Sequence, residues 1–401
     1  MVKKLFCHHK WVFFCLIVLC LGLVACAPSQ PVKGRLIVWH TWDEAEAPVI
    51  EQVLADFRRL HPEIQISVER KEYATVLDEF AEASRAGLGP DVLIGLESVY
   101  AHLLYQNGLA ANVNKMDIDW TVFEPGTLQS VQRGNDVRVG VPLNAYVSVL
   151  YFNRSQIDTP PDSFDALQAI SEKGIKVGLP ATFFASYWGI TGLGGSVFDG
   201  DALSANSQAG IANWLDWLVA FQQTPGAVLS SDTRALVDSF VRGDIALLVM
   251  DSLELASLEE RLGREQFGVA TLPGFPHAQA FSTVELIVVN SASVQTEAAA
   301  QLSNFLSNAA QQRKLARTTS GRAPVNRAVS LNPTLFPRIS AISQQNRTAV
   351  VPTTVQDGLI NRLIVEADPI YQQVLEGLIT PDAGAQMIID AVKNDRGGPS
   401  Q

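Results

Sequence analysis

Residues 35–68, RLIVWHTWDEAEAPVIEQVLADFRRLHPEIQISV, contain the pattern that decides the fold. Residues 35–39 form a short apolar run with β-branched side chains, typical of a buried strand, and residues 64–68 alternate as a second strand. Between them, apolar residues at helical spacing over 47–60 predict a helix, which Pro62 ends. A strand, a helix and a strand in this order form a βαβ unit, which predicts a parallel sheet with a right-handed crossover.

The same alternation continues along the rest of the chain. Further strands are predicted at 91–95, 139–152, 175–179, 245–250, 267–272 and 283–289. Further helices are predicted at 74–86, 99–107, 208–222, 232–242, 296–314, 355–378 and 381–393, and two more are predicted to begin at the runs PPDS (160–163) and PAT (180–182). Strands that alternate with helices over this length indicate an α/β protein.

The N-terminus has the layout of a secretory signal peptide. Residues 1–10 carry three lysines and no acid, residues 11–25 are all apolar or small, and the run LVAC that ends at Cys26 resembles a bacterial lipobox. In a lipobox the cysteine is diacylated and becomes the new N-terminus. We therefore expect a signal peptide over 1–25 and a lipidated tether over 26–33. A plain membrane anchor is the alternative, but fifteen helical residues span only about 22 Å of a hydrocarbon core of about 30 Å.

The chain without its signal would be acidic and almost free of cysteine. Losing three lysines leaves 27 basic against 41 acidic residues, and no basic run is longer than Arg58-Arg59, which argues against a nucleic-acid partner. Three of the four cysteines leave with the signal, so we expect no internal disulfide and no cysteine metal site. The remaining 376 residues exceed a single core and predict two lobes.

Common catalytic and nucleotide-binding motifs are absent from the sequence. It contains no HExxH, no GxSxG and no P-loop. The glycine-rich run at 192–196 lacks a dinucleotide fingerprint, because Val197 stands where the last glycine is needed. We therefore predict a binding protein without cofactor or metal. A carboxylate-pair hydrolase stays open, since acids are plentiful.

Aromatic and acidic residues follow several predicted strands. Trp42 and Asp43 follow the first strand, Glu97 follows the third, Asp251 follows a later one, and the run FFASYW at 183–188 follows another. Ligands of open α/β sheets bind beyond the carboxyl ends of the strands. These side chains are therefore candidates for a ligand site.

The aromatic run at 183–188 has two interpretations. In a helix, Phe183 pairs with Tyr187 and Phe184 with Trp188 on adjacent parts of one face, and such a stripe more often belongs to a core. Its place at a helix start beside the crevice instead predicts that at least two rings face a ligand. A pyranose suits such a site, because its apolar face stacks on rings and its hydroxyls bind carboxylates. Polyamines would also suit acids with aromatic rings, and the residues alone do not separate the two.

Five segments, in this order and spacing, make the chain resemble the extracellular solute-binding proteins of ABC importers, specifically the maltose/glycerol-phosphate-type group (family 1). The segments are LIVW at 36–39 with the helix before Pro62, GPDV at 89–92 with GL at 108–109, VPL at 141–143 with LYFN at 150–153 and PDSFDAL at 161–167, FVRGDIA at 240–246 with Met250, and GRAPV at 321–325. The resemblance covers about residues 35–393.

This resemblance implies a two-lobe periplasmic-binding-protein fold of type II, maltose-binding-like, with a ligand cleft between the lobes and a three-strand hinge. Lobe one would comprise 34–142 and 285–322, and lobe two 146–281 and 326–397. The hinge strands would fall at 142–145, 282–285 and 322–326. Closure on the ligand would then be a population shift about this hinge.

By position, the resemblance implies ligand contacts from Trp42, Asp43, Glu97, Tyr146, Phe183, Phe184, Tyr187, Trp188, Asp251 and Arg322. Asp251-Ser252 stands where sugar binders of this family often have Gly-x-Trp, so the resemblance does not imply maltodextrin specificity.

The expected function is that of a lipid-anchored, extracytoplasmic binding protein that captures a mono- or oligosaccharide and delivers it to ABC permease subunits. We expect a monomer that stands in the periplasm or on the cell surface. The alternatives are a binder of a polyamine or other polar cation, a secreted carbohydrate-active enzyme, and a sensor subunit that docks on a receptor.

Overall fold

The computed structural model describes residues 32–318 and 321–394. The predicted signal peptide (1–25), Cys26 and the tether up to residue 31 lie outside the described residues, as do residues 395–397, which were assigned to lobe two.

Strands and helices alternate through most of the described chain. The strands are β1 (Gly34–His40), β2 (Ile64–Arg70), β3 (Val92–Glu97), β4 (Gln132–Arg133), β5 (Val137–Arg138), β6 (Val141–Asn153), β7 (Val177–Pro180), β8 (Phe198–Asp199), β9 (Ala202–Leu203), β10 (Ala227–Ser230), β11 (Leu247–Asp251), β12 (Phe267–Ala270), β13 (Ser282–Val289) and β14 (Ala323–Pro324). The helices are α1 (Ala47–Leu60), α2 (Val76–Arg85), α3 (Ser98–Gln106), α4 (Pro125–Val131), α5 (Phe164–Glu172), α6 (Phe183–Gly192), α7 (Ser207–Gln222), α8 (Thr233–Val241), α9 (Glu254–Leu262), α10 (Thr296–Ser307), α11 (Ala309–Thr318), α12 (Pro337–Thr348), α13 (Thr354–Leu375) and α14 (Pro381–Asn394).

The first βαβ unit is formed as predicted. β1 and β2 pair in parallel along their whole length, from Gly34 opposite Ile64 to His40 opposite Arg70. Helix α1 buries one stripe of its surface, including Ile50, Val53, Leu54 and Phe57. Burial of these four side chains stabilises the unit by about 1.5–3 kcal/mol each, since each leaves water almost completely.

The main sheet is mixed rather than wholly parallel. Its strand order is β10-β7-β11-β6-β13-β3-β1-β2, and β12 and β14 also pair with β6. The long strand β6 is antiparallel to β13 over residues 141–147 and to β11 over 148–152. One strand therefore belongs to both halves of the sheet, which the βαβ pattern alone did not predict.

Two separate hydrophobic cores form on the two halves of this sheet. The first takes its buried residues from 36–145 and 284–325, and the second from 147–281 and 339–392, with Ala316 and Ala323 added. We name the surrounding parts lobe one and lobe two. No helix among the described residues is long and apolar enough to span a membrane.

Some helices differ from the sequence prediction. The helix expected at 296–314 is two helices, α10 and α11, because Asn308 adopts an extended conformation with ψ of 154° between them. Helices α4, α9 and α12 were not predicted. The apolar periodicity of α12 is weak, since only Ile339 and Ile342 supply large buried aliphatic side chains to the core.

Candidate ligand-binding site

The candidate site lies where neighbouring strands of the sheet bring polar residues side by side. Glu97, at the end of β3, is opposite Glu285 of β13, and Glu285 is opposite Asn144 of β6. Tyr146, two residues further along β6, is opposite Thr283. The carboxyl end of β3 therefore lies beside β13, which in turn pairs with β6.

Arg322 forms the centre of a buried ion-pair cluster at this place. Its guanidinium donates two hydrogen bonds to the Glu285 carboxylate, at 2.9 and 3.2 Å, and a further one to Glu46. The guanidinium carbon also lies 4.8 Å from the centre of the Trp42 ring. Arg322 is only 7% exposed, and both glutamates are buried. Such geometry satisfies the arginine and holds the segment before β14 against the start of α1.

Burial changes the protonation of Glu46. The loss of solvent raises the pKa of this carboxyl to about 7, although the charge of Arg322 lowers it. One oxygen of Glu46 has no hydrogen-bond partner among the described residues. Near neutral pH the group can therefore either accept or donate a hydrogen bond.

Glu97 is held by a phenol. The Tyr146 hydroxyl donates to the Glu97 carboxylate, and burial raises the pKa of that carboxyl above its usual range despite this bond. Tyr73 of lobe one contacts the same carboxylate, and its ring lies edge-on to that of Tyr100. Asn144 is buried close by, and neither atom of its amide has a partner in the part of the chain that the structure describes. Buried side-chain amides normally have hydrogen-bond partners. The amide of Asn144 is therefore available to form hydrogen bonds at this site.

Asp251 contributes the fourth carboxyl, at the end of β11. One of its oxygens accepts the Leu253 N–H at 2.8 Å, and burial raises the pKa of the carboxyl to about 7. The next residue, Ser252, donates its hydroxyl to the Gly321 carbonyl at 2.6 Å. The end of β11 in lobe two is thereby fixed to the residue that precedes Arg322.

Trp42 and Asp43 follow β1, as predicted, but the Trp42 side chain is buried. A Cβ added to Gly95 would lie 2.9 Å from the indole, so the ring packs directly on the β3 backbone. Its indole nitrogen has no partner among residues 32–318 and 321–394. Asp43 is exposed, and its carboxylate accepts the Glu46 N–H at 2.9 Å at the start of α1. Asp43 therefore faces solvent and also helps to fix the backbone at Glu46.

The aromatic run at 183–188 is mostly core. Phe183, Tyr187 and Trp188 are buried, and Trp188 lies between Phe164 and Trp214, each with a ring-centroid distance of 5.4 Å. Tyr187 stacks on Phe281, while Phe184 also stacks on Phe281 but stays partly exposed. This placement favours packing for Phe183 and Trp188. It leaves Phe184 as the ring of the run that a ligand can reach most readily.

Sequence reasoning missed three members of the site, namely Glu46, Glu285 and Asn144. Glu285 could have been found, because it is a lone acid within the apolar strand STVELIVV. Asn144 could have been suspected for the same reason within VPLNAYV. Nothing in its own neighbourhood distinguishes Glu46 from Glu44 or other acids of the same loop.

Two further observations concern other places where a ligand or a metal ion could bind. A cavity of about 740 Å³ lies between Gln129 and Arg133 of lobe one and Asp201 and Gln356 of lobe two, but it contains none of the ten predicted residues. Within the described residues, no three His, Cys, Asp or Glu side chains are placed to hold a metal ion.

Two α/β lobes that share strands beside a buried polar cluster define a class of proteins that enclose a ligand between lobes. The chain belongs to the bacterial extracellular solute-binding protein family, whose profile matches residues 52–338. The resemblance inferred from the sequence is therefore confirmed at the level of the family.

Individual relatives agree. The maltodextrin-binding protein MdxE of Bacillus subtilis is 23% identical over 295 residues, which are 66% of this chain and 67% of that protein. The maltose-binding periplasmic protein MalE of Listeria monocytogenes, solved in complex with maltose, has a TM-score of 0.74 at 20% identity, over 90% of this chain and 98% of that one. The maltose-maltodextrin binding protein of Alicyclobacillus acidocaldarius has a TM-score of 0.70 at 21% identity, over 90% and 100%. The predicted type II two-lobe fold is confirmed.

Proposed function

We propose that this protein captures a mono- or oligosaccharide between its lobes and delivers it to the permease of an ABC importer. The observation that carries the proposal is the meeting of Glu97, Tyr146, Asp251 and Arg322 beside the strands that both lobes share. Carboxyl, phenol and guanidinium groups can all bind ring hydroxyls. The partly exposed ring of Phe184 can stack on the apolar face of a pyranose.

The relatives support a sugar. The Bacillus subtilis relative is named for maltodextrin, and the Listeria monocytogenes structure holds maltose. The family and its structural neighbours are binding proteins, and we propose that this chain likewise releases its ligand unchanged.

A polyamine or another polar cation is the second candidate, because the site holds four carboxyls against one arginine: Glu46 and Glu285 pair with Arg322, Glu97 is opposite Glu285 in the sheet, and Asp251 is close enough to interact with Glu97 and Arg322. The protonation of these carboxyls favours the sugar. Burial raises the pKa of both Glu46 and Asp251 to about 7, so part of the negative charge is lost near neutral pH. A protonated carboxyl can donate to a hydroxyl but offers little attraction to an ammonium group.

The proposed hinge consists of residues 142–145, 282–285 and 322–326, with lobe one at 34–142 and 285–322 and lobe two at 146–281 and 326–397. The pairing of β6 with both β13 and β14 supports this division, because the three segments lie side by side. A ligand that contacts both lobes would favour the closed state by its extra contacts there.

We further propose that Cys26 is lipidated after removal of residues 1–25, so that a monomer is anchored outside the cytoplasm beside its permease. The lipobox-like run supports the anchor, and the family description supports the extracellular side. Two acyl chains on one cysteine are enough for stable anchoring.

Tryptophan fluorescence of the chain from Ala27 onward tests the binding proposal. We expect a saturable change with glucose, maltose or maltotriose, with the sugar recovered intact. Trp42, under Arg322, should be the main reporter, so Trp42→Phe should remove most of the change, while Trp217→Phe in the lobe-two core should keep it. A response to putrescine or spermidine alone would favour the second candidate. Recovery of a cleaved sugar would overturn the binding function.

A further inference from the structure

A cavity of about 200 Å³ lies between three helices in the second half of the chain. It is lined by α9 and the turn after it, by the end of α11 and by the start of α12, and we name it the arginine cavity. Its charged lining residues are Arg264, Arg317, Arg338 and Glu259. Drug-sized ligands occupy pockets of about 300–1,000 Å³, so the arginine cavity suits a smaller molecule.

One carboxylate serves two of the three arginines. Arg264 Nε donates to Glu259 Oε2 at 2.9 Å, and Arg338 Nη1 lies 3.2 Å from Glu259 Oε1. Arg338 also donates to the Arg264 carbonyl at 3.1 Å, which fixes the two residues relative to each other. A guanidinium has five N–H donors. These bonds therefore leave donors of both arginines for a further acceptor.

Arg317 adds a positive charge that has no counter-charge. It makes no ion pair with a carboxylate in the part of the chain that the structure describes. Its guanidinium carbon lies 4.7 Å from the centre of the Phe336 ring, another side chain that lines the cavity. An arginine that lies over a ring is held in place while the N–H groups along its edge can still bind an oxyanion.

The positive charge is not cancelled by acids on the same elements. The three helices and the turn after α9 carry seven basic residues, Arg261, Arg264, Arg313, Lys314, Arg317, Arg338 and Arg347, and four acidic ones, Glu254, Glu259, Glu260 and Glu265. Their ion-pair partners on other elements are Arg154, Asp56 and Asp238, which gives eight basic against six acidic residues. The surroundings of the cavity are therefore basic, although the chain carries a net charge of −11.

Arg338 is the arginine that these charges affect most. Burial lowers the pKa of its guanidinium, and the attraction of Glu259 only partly offsets this effect. The charges of Arg264 and Arg154 lower the same pKa further, so like charges repel each other here. Arg338 also lies in the first turn of α12, which has no side-chain cap and whose dipole favours an anion. An anion in the cavity would relieve the repulsion.

We propose that the arginine cavity binds one small oxyanion of the size and charge of inorganic phosphate. The guanidinium groups of Arg264, Arg317 and Arg338 bind its oxygens, and the start of α12 adds to their attraction. This site is separate from the candidate sugar site and does not depend on the proposed function. Because α11 is the last helix before the proposed hinge segment 322–326, a bound anion ties that helix to α9 and α12 of lobe two.

Equilibrium dialysis with radiolabelled inorganic phosphate tests the site on the full chain, purified in a mild detergent. Sodium chloride at about 0.1 M screens anions that are only loosely attracted. Arg317→Gln is the main variant, because Arg317 is exposed and its replacement should leave the fold intact. Arg338→Gln is the second. Arg313→Gln is the matched control, since it removes the same charge one turn earlier in α11 from a residue outside the lining.

We expect saturation at one phosphate per chain, with affinity about tenfold or more weaker in Arg317→Gln and Arg338→Gln and nearly unchanged in Arg313→Gln. Glu259→Gln should instead tighten binding, because it removes the carboxylate that competes for two of the arginines. This gain cannot result from a folding defect. Unsaturable uptake by the wild type, or equal losses in Arg313→Gln and Arg317→Gln, would overturn the proposal.

Competition identifies the source of the oxyanion. Unlabelled sulfate and methyl phosphate are added in turn to the dialysis with labelled phosphate. If both displace the label as well as phosphate does, the site takes a free oxyanion. If methyl phosphate displaces it at a lower concentration, the site takes the phosphoryl group of a larger molecule. Displacement by sodium chloride at the same ionic strength would overturn the proposal, because the attraction would then be unspecific.

Discussion

The Arg322 guanidinium and the Glu285 carboxylate form a two-point ion pair, with Nε 2.9 Å from Oε2 and Nη2 3.2 Å from Oε1. The pair joins the segment before β14 to β13, and a third contact from Arg322 reaches Glu46 at the start of α1. Three parts of the chain that are far apart in sequence are thus fixed at one buried charge. The cost of burying that charge is recovered only while all its partners are present.

Arg322→Met should therefore destabilise the protein strongly. The substitution leaves Glu46 and Glu285 buried without a counter-charge, and we expect the free energy of unfolding to fall by about 3–5 kcal/mol. Arg242→Met is the control, because Arg242 pairs with Asp244 on the surface with both side chains 60% exposed. Surface pairs contribute little, so this control should be nearly neutral. Urea unfolding of the chain from Ala27 onward measures both; equal losses would contradict the role of Arg322.

Gly321→Ala should damage both stability and sugar binding. Gly321 has φ of +87°, and an added Cβ would lie 2.0 Å from the Ser252 carbonyl oxygen, so the backbone of one of the two must move. Gly377→Ala is matched in conformation, with φ of +73°, but its Cβ would meet no atom within 4 Å. In both variants the left-handed conformation of the new alanine should lower the free energy of unfolding by about 1–2 kcal/mol. Only Gly321→Ala should lose more than that in urea unfolding and also weaken the fluorescence titration, because it displaces Arg322.

The sequence predicted the first βαβ unit almost to the residue, since the apolar period of 47–60 and the β-branched runs on either side are local signals. The split between α10 and α11 was missed because a single extended residue, Asn308, breaks an otherwise helical pattern. The Arg322 cluster was predicted only in part. Its glutamates come from residues 46 and 285, and no local pattern shows which acids of a chain will meet one arginine.

The aromatic run illustrates the same limit. Its helical spacing was correct, but spacing does not show which side of the helix faces the core. Trp188 is enclosed by Phe164, the first residue of α5, and by Trp214 in the middle of α7. Burial of an aromatic stripe is thus decided by its packing partners.

Stability should depend on pH through Glu46. Its pKa is about 7 in the folded protein against 4.5 for the free side chain, so the folded state binds the additional proton between these values. The free energy of unfolding therefore falls as pH rises from about 4.5 to 7, by an amount on the order of 1–3 kcal/mol from this group. Urea midpoints at pH 5 and pH 7.5 measure the fall. Glu46→Gln cannot titrate, so its fall should be smaller than that of the wild type; an identical or steeper fall would show that Glu46 ionises normally.

Phe184→Ala and Trp188→Ala should separate ligand contact from packing. Trp188 is buried between Phe164 and Trp214, so its truncation leaves a cavity and should cost about 3–5 kcal/mol of unfolding free energy. Phe184 is partly exposed beside Phe281, and its loss should cost less stability while weakening sugar affinity at least several-fold, since a stacking surface is removed. Urea unfolding and fluorescence titration are measured on both variants, at a temperature where each is folded. Folded Trp188→Ala with lost affinity, together with unchanged affinity in Phe184→Ala, would reverse the two assignments and place Trp188 in the site.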